Sequence, residues 1–281
     1  MTISNVPRIG LGILLALCGA VATVSFEVWQ SALAGYRPDG VVTDYSWLAL
    51  RIMLMALIAP GIVLLKPAVV NGPISRVGLR LQQLRAKEFL AYTLVTAVVL
   101  RVIVVLFMPL RLLTDFAAYD ELAMSLATQG EYAFSSLPTA YFPPGWPFFL
   151  SLIYRLFGHH PQLGIIANIG FGAATVALTW VLVRRIWGEL PARWGAVIVA
   201  VIPCELLFTN ILGSEGLFTA LLLLALVLLL PSQESGDLSF TRTLSGGVVL
   251  GLATLTRSLG FFLPIVLIVV YIIRFGASRR T

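Results

Sequence analysis

The sequence predicts an all-α polytopic membrane protein, and three observations lead there. Of its 281 residues 59% are apolar and 11% charged, with a mean hydropathy of +0.95, whereas soluble domains carry about 25% charge. Hydrophobic runs long enough, as helices, to cross a hydrocarbon core about 30 Å thick recur along the chain. The basic residues sort onto one side of the spans those runs define.

The spans fall at roughly residues 9–29, 46–65, 88–110, 163–183, 193–212, 214–231, 242–257 and 259–274, eight in all. The apolar run at 146–157 is only about a dozen residues long, too short at ~1.5 Å per residue to cross, and is placed on the membrane surface. With both termini cytoplasmic, thirteen of the nineteen basic residues lie inside: Arg8, Lys66, Arg76, Arg80, Arg85, Lys87, Arg184, Arg185, Arg193, Arg242, Arg274, Arg279 and Arg280. Nine of the thirteen acids lie outside or in the upper spans. A crossing at 146–157 would turn the last seven of those basic residues outward, against the rule that Lys and Arg gather on the cytoplasmic side. The formal charge of +6 therefore marks topology, and nucleic acid is not an expected partner.

Residues 9–29 read as an anchor, because the apolar run continues past the small residues Ala20 and Ala22. Cys18 and Cys204 sit in apolar runs, so neither a disulfide framework nor a zinc site is expected. The basic connector at 66–87 would lay Arg80, Arg85 and Lys87 against anionic headgroups, each contributing about 1 kcal/mol. It separates two N-terminal spans with their connector, 1–87, from a module at 88–281, which holds an external loop at 111–161 and five further spans.

That loop is the one long segment that is neither span nor short connector, and it holds Asp115, Asp120, Glu121 and Glu131. From Asp115, apolar Phe116, Tyr119, Leu122, Ala123 and Leu126 recur at helical spacing, with Asp120, Glu121, Thr128 and Gln129 on the other side. This predicts an amphipathic helix ended by Gly130 and lying in the interface. Asp115 falls at its first turn, where a carboxylate both caps the helix and can aim an oxygen into a cavity.

Pro138, Tyr141, Phe142, Pro143, Pro144, Gly145, Trp146 and Pro147 form a stiff aromatic turn that cannot start helical, with its rings at headgroup level. From Trp146 a second short interfacial helix sets Ser151 and Arg155 against Phe148, Leu152, Tyr154 and Phe157. Glu205 and Glu215 flank the connector between the fifth and sixth spans, and Arg257 sits at the outward turn between the last two. Ionisable residues in spans are costly and mark a site or a structural pair. Arg101 in the third span either extends the set or forms an interhelical ion pair. His159 and His160 are adjacent and would diverge on a helix, so no metal site is expected there.

This order of features resembles the GT-C membrane glycosyltransferases, in the branch of protein O-mannosyltransferases and lipid A aminoarabinose transferases. The resemblance covers roughly residues 88–275 and rests on Asp115 with Tyr119 in DFAAYDELAMSLATQG, then PTAYFPPGWPFFLSLIYRLFG, VRRIWG, SEGLF with Glu215, and GLATLTRSLG with Arg257. It implies a sugar transferred, with inversion, from a polyprenyl-phosphate donor to an acceptor at the outer face of a bacterial inner membrane. Asp115 would be the general base, Glu215 the second acidic residue and Arg257 the residue at the lipid phosphate. Tyr119, Tyr141 and Arg101 complete the expected donor-binding set. No cofactor is firmly implied, and a divalent cation stays an open expectation.

Larger relatives of that kind continue with further spans and often an outer domain that recognises the acceptor. A partner subunit, a minimal enzyme or an inactive remnant are therefore alternative expectations. The competing reading is a non-catalytic membrane subunit that binds or presents a polyprenyl lipid.

Overall fold

The computed structural model describes residues 83–107, 110, 112, 115–230, 239–265 and 269, and the chain divides into two compact units, Met1–Leu84 and Arg85–Thr281. The spans expected at 9–29 and 46–65, and most of the one at 259–274, lie outside the described residues. In the second unit the elements run α1 (Ala86–Phe107), α2 (Asp115–Thr128), strands β1 (Ala133–Phe134) and β2 (Leu137–Pro138), then α3 (Gly145–Phe157) and α4 (Pro161–Trp187). They continue with α5 (Glu189–Val201), α6 (Pro203–Thr209), α7 (Glu215–Leu229), α8 (Phe240–Thr256) and a 3₁₀ turn, Ser258–Phe262.

Among the described residues two helices, α1 and α4, are long and apolar enough to cross a membrane, and a third span is added if α5 and α6 count as one. The run expected as one straight span at 193–212 is in fact this pair, bent by 50°. Pro203 is the cause: it removes a backbone donor and opens α6 at its first turn, with Ile202 extended before it. α7, expected to span, is an apolar helix of 15 residues.

The terminators are local. Gly130, Gly158 and Gly188 take φ of 75°, 82° and 89° after α2, α3 and α4, a region that costs residues with a Cβ. Pro161 opens α4, where its missing N–H is no loss.

α7 and α8 form an antiparallel hairpin, with α7 lying against α4. At one end Arg242 Nη2 donates to the carbonyls of Val227 and Leu230 at 2.7 and 2.8 Å, and Arg185 joins it on Val227. Cations there complement the negative end of α7's dipole. The opposite end carries Glu215 and Arg257.

α2 packs on α3, and the core between α2, α3, α4 and the α6–α7 connector is built from Ala123, Trp146, Leu150, Tyr154, Ile165 and Leu212. Two expectations change here. Trp146, expected among rings at headgroup level, is fully buried, and its Nε1 donates to the Leu212 carbonyl at 3.0 Å. Asp120, expected on the solvent side of α2, is buried at 9% exposure. Side chains from thirty and more residues later enclose both, which helical periodicity alone does not register.

α3 also divides differently. Ser151 is buried, while Phe148, Leu152 and Leu156 form an exposed apolar stripe at four-residue spacing. The short β1–β2 hairpin was not expected in an all-α chain; its turn puts Ser135 and Ser136 at φ 51° and 63°, and Glu121 accepts from the Ser135 N–H at 2.6 Å.

Candidate active site

The polar residues cluster where the start of α2 meets the open end of the α7–α8 hairpin. Arg257 follows α8 in an extended conformation (φ −148°, ψ 131°), so its side chain leaves the helix axis sideways. Its Nη1 pairs with Glu215 at the start of α7 and donates to Ser214 Oγ at 3.3 Å. The Arg257 and Glu215 side chains are 38% and 31% exposed. Nε and Nη2 of Arg257 have no hydrogen-bond partner among the described residues, leaving a guanidinium edge for an anion.

Tyr119 joins this pair to α2. Its hydroxyl lies close enough to Ser214 and to the charges of Glu215, Asp115 and Arg257 for all four to act on it. Burial, foremost, pushes the Tyr119 hydroxyl above its ordinary range, so at neutral pH it remains protonated. Asp115, one helical turn earlier on the same face, is exposed and has no hydrogen bond or ion pair among the described residues. Its carboxylate is thus accessible to a substrate proton.

The aromatic turn closes the side of the site. Phe142 meets Tyr119 edge-on at 5.6 Å and Tyr141 at 4.9 Å, and Tyr141 is 82% exposed. Tyr132 donates to the Phe142 carbonyl at 3.0 Å, and burial raises its hydroxyl to about 12, which keeps that bond through the neutral range. Gly145, opening α3, packs directly on α8. A Cβ there would stand 2.8 Å from the Thr256 nitrogen and 2.9 Å from the Leu255 carbonyl carbon, next to Arg257. Only glycine lets the two backbones approach so closely.

Behind Glu215 lies a cleft of about 140 Å³ lined by Asn168, Glu205, Thr209, Gly216 and Thr219, among others. Asn168, 2% exposed, donates from Nδ2 to the Ile211 carbonyl at 2.8 Å and so ties the connector carrying Ser214 and Glu215 to α4. Its Oδ1 has no hydrogen-bond partner among the described residues and lies 3.0 Å from where a Cβ on Gly216 would be.

Arg101 does not join the Arg257 cluster. It is fully buried over Gly172, its Nη1 donates to the carbonyl of Ala97 at 3.2 Å and weakly to that of Ala200 at 3.5 Å, and its charge interacts with Glu205.

Of the expected residues, Asp115, Tyr119, Glu215 and Arg257 come together, Tyr141 flanks them, and Arg101 stands apart. Ser214 and Asn168 were missed: a serine beside a glutamate, or an asparagine in a span, does not reveal which helix it faces. Glu205 carries a readable signal, being an ionisable residue in an apolar run.

Comparison with known proteins bears on the second half of the chain. Residues 142–281 match the family model described as dolichyl-phosphate-mannose-protein mannosyltransferase, a domain of the GT-C superfamily. That stretch includes Glu215 and Arg257; Asp115, Tyr119 and Tyr141 precede it. No curated protein and no solved structure matches the chain.

Proposed function

We propose, on the premise that residues 142–281 form a domain of the dolichyl-phosphate-mannose-protein mannosyltransferase family and hence of a GT-C membrane glycosyltransferase, a specific reaction for this chain. It moves a sugar from a polyprenyl-phosphate-linked donor to an acceptor hydroxyl or amine at the outer face of a bacterial inner membrane, with inversion. The observation that carries this reading is the meeting of Asp115 and Tyr119 from α2 with Ser214, Glu215 and Arg257 from the α7–α8 end.

In this reaction the acceptor oxygen or nitrogen attacks the anomeric carbon from the face opposite the phosphate, and Asp115 takes its proton. The bond from the anomeric carbon to the phosphate oxygen breaks, and the polyprenyl phosphate leaves with the electron pair. A phosphate needs no strong general acid when cationic and hydrogen-bonding groups meet its developing charge. Arg257 serves that end through the N–H groups its protein partners do not use, and the neutral Tyr119 hydroxyl is a further donor. Glu215 acts through Arg257, fixing the direction of the guanidinium.

Two features favour a transferase over a scaffold that only presents lipid. The Arg257–Glu215 pair is about one-third exposed and not sealed, and Asp115 is exposed, with no hydrogen bond or ion pair among the described residues. The apolar stripe Phe148, Leu152 and Leu156 on α3 suits a helix lying in the membrane interface beside an isoprenoid tail.

The test is reconstitution of the full chain in proteoliposomes with dolichyl-phosphate mannose and a serine- and threonine-rich peptide. Release of dolichyl phosphate with mannose on the peptide is expected. Donor that binds but stays intact would overturn the transferase reading in favour of the lipid-presenting one.

A further inference from the structure

One residue beyond Tyr119, α2 holds a buried carboxylate that the proposed reaction does not use. Asp120 Oδ1 accepts from the Tyr154 hydroxyl at 2.5 Å, and its two oxygens lie 3.0 and 2.9 Å from His159 Nε2. The Tyr154 and His159 rings meet edge-on at 5.0 Å. A carboxylate only 9% exposed is costly unless paired and hydrogen-bonded, so this arrangement does more than fill space.

We infer that Asp120 is a positioning residue: with Tyr154 and His159 it clasps α2 to α3 and the α3–α4 turn in the register that presents Asp115 and Tyr119. The role of Asp115 and Tyr119 rests on the function proposed above; the clasp itself does not.

The geometry makes Asp120 the tether for the half of α2 that carries the site. The C-terminal end of α2 is held separately, by Arg155 Nη2 donating to the Leu126 carbonyl at 2.6 Å. Asp115 and Tyr119 share a face one turn apart, and Asp120 is ~100° further round. A small rotation of α2 about its axis would therefore release Asp120 and swing both site residues away from Ser214 and Arg257.

Tyr154, 4% exposed, has its hydroxyl pushed well above the ordinary range by burial and then by Asp120, so it is a donor at neutral pH. The other charged groups nearby point elsewhere: Arg155 to Leu126, and Glu121 to the hairpin turn, while His160 is exposed on the turn. His159, with 43% of its side chain exposed, is the second side chain on the Asp120 carboxylate among the described residues, and the ionised acceptor strengthens both contacts.

Hydrogen exchange of the α2 amides, measured on the full chain in nanodiscs without donor, tests this. Asp120→Ala should exchange about tenfold to a hundredfold faster than the unaltered protein over Asp115–Thr128. With dolichyl-phosphate mannose as donor, Asp120→Ala should lower kcat and leave KM unchanged, and Asp120→Asn, which keeps the shape and one acceptor oxygen, should recover most of that loss. Unchanged α2 exchange in Asp120→Ala, or a kcat equal to that of the unaltered protein, would overturn the clasp. Faster exchange in Asp120→Ala with no donor turnover in the unaltered protein would leave the clasp standing and remove the proposed function.

Discussion

Asp115→Asn is expected to slow sugar transfer from dolichyl-phosphate mannose by about 10² to 10⁴ in kcat, the range for loss of a positioned general base, with donor KM changed little. Asn has the same shape and is equally accepted at a helix start. Asp115 is exposed and makes no hydrogen bond that the change would break among the described residues. Thermal stability should therefore stay within about 0.5 kcal/mol of the unaltered protein. What disappears is the capacity to hold a proton at that point beside Tyr119. Steady-state kinetics with the acceptor peptide distinguish the roles: a higher KM at unchanged kcat would mean that Asp115 only binds substrate.

Arg257→Gln should lower kcat/KM by roughly 10² to 10³, the loss seen when one group stabilising developing negative charge is removed. The change deletes the N–H groups available to the phosphate, and it also leaves Glu215 without its cation beside the same leaving group. Arg257→Lys should recover little, because a single ammonium cannot span Ser214, Glu215 and a phosphate as the planar fork does. Removing Glu215 as well should cost less than the sum of the two single changes, since both act on one pair. Additive losses in that double variant would show that Glu215 works independently of Arg257.

Helix α2 was readable from Asp115 to Gly130 because periodicity, an acidic first turn and a glycine stop agree over one short stretch. The short length of α3 was readable for a similar reason, bounded by the Pro143–Pro144 pair and Gly158. The break at Pro203 was visible as a residue but masked by hydropathy that continues on both sides of it. The hairpin at 133–138 gave no warning, since its turn uses Ser135 and Ser136 where Asn and Gly are the usual signal.

The site was legible in part for a physical reason. Charges in an apolar chain are expensive, so Glu215 and Arg257 stand out on their own. Asp120 did not, because the helical wheel groups it with Glu121, and only Tyr154 and His159, 34 and 39 residues on, make its burial tolerable. Ser214 likewise acquires its place from Tyr119 and Arg257, partners far away in the chain.

In the proposed reaction one phosphate end and one base face each other across this cluster, and a cryo-electron-microscopy map of the chain in nanodiscs with dolichyl phosphate shows whether they do. Phosphate density is expected against Nε and Nη2 of Arg257, with Asp115 and Tyr119 on the far side of the space the sugar would fill. Phosphate bound instead among Arg184, Arg185 and Arg242 at the other end of the α7–α8 hairpin, with no density beside Arg257, would contradict it.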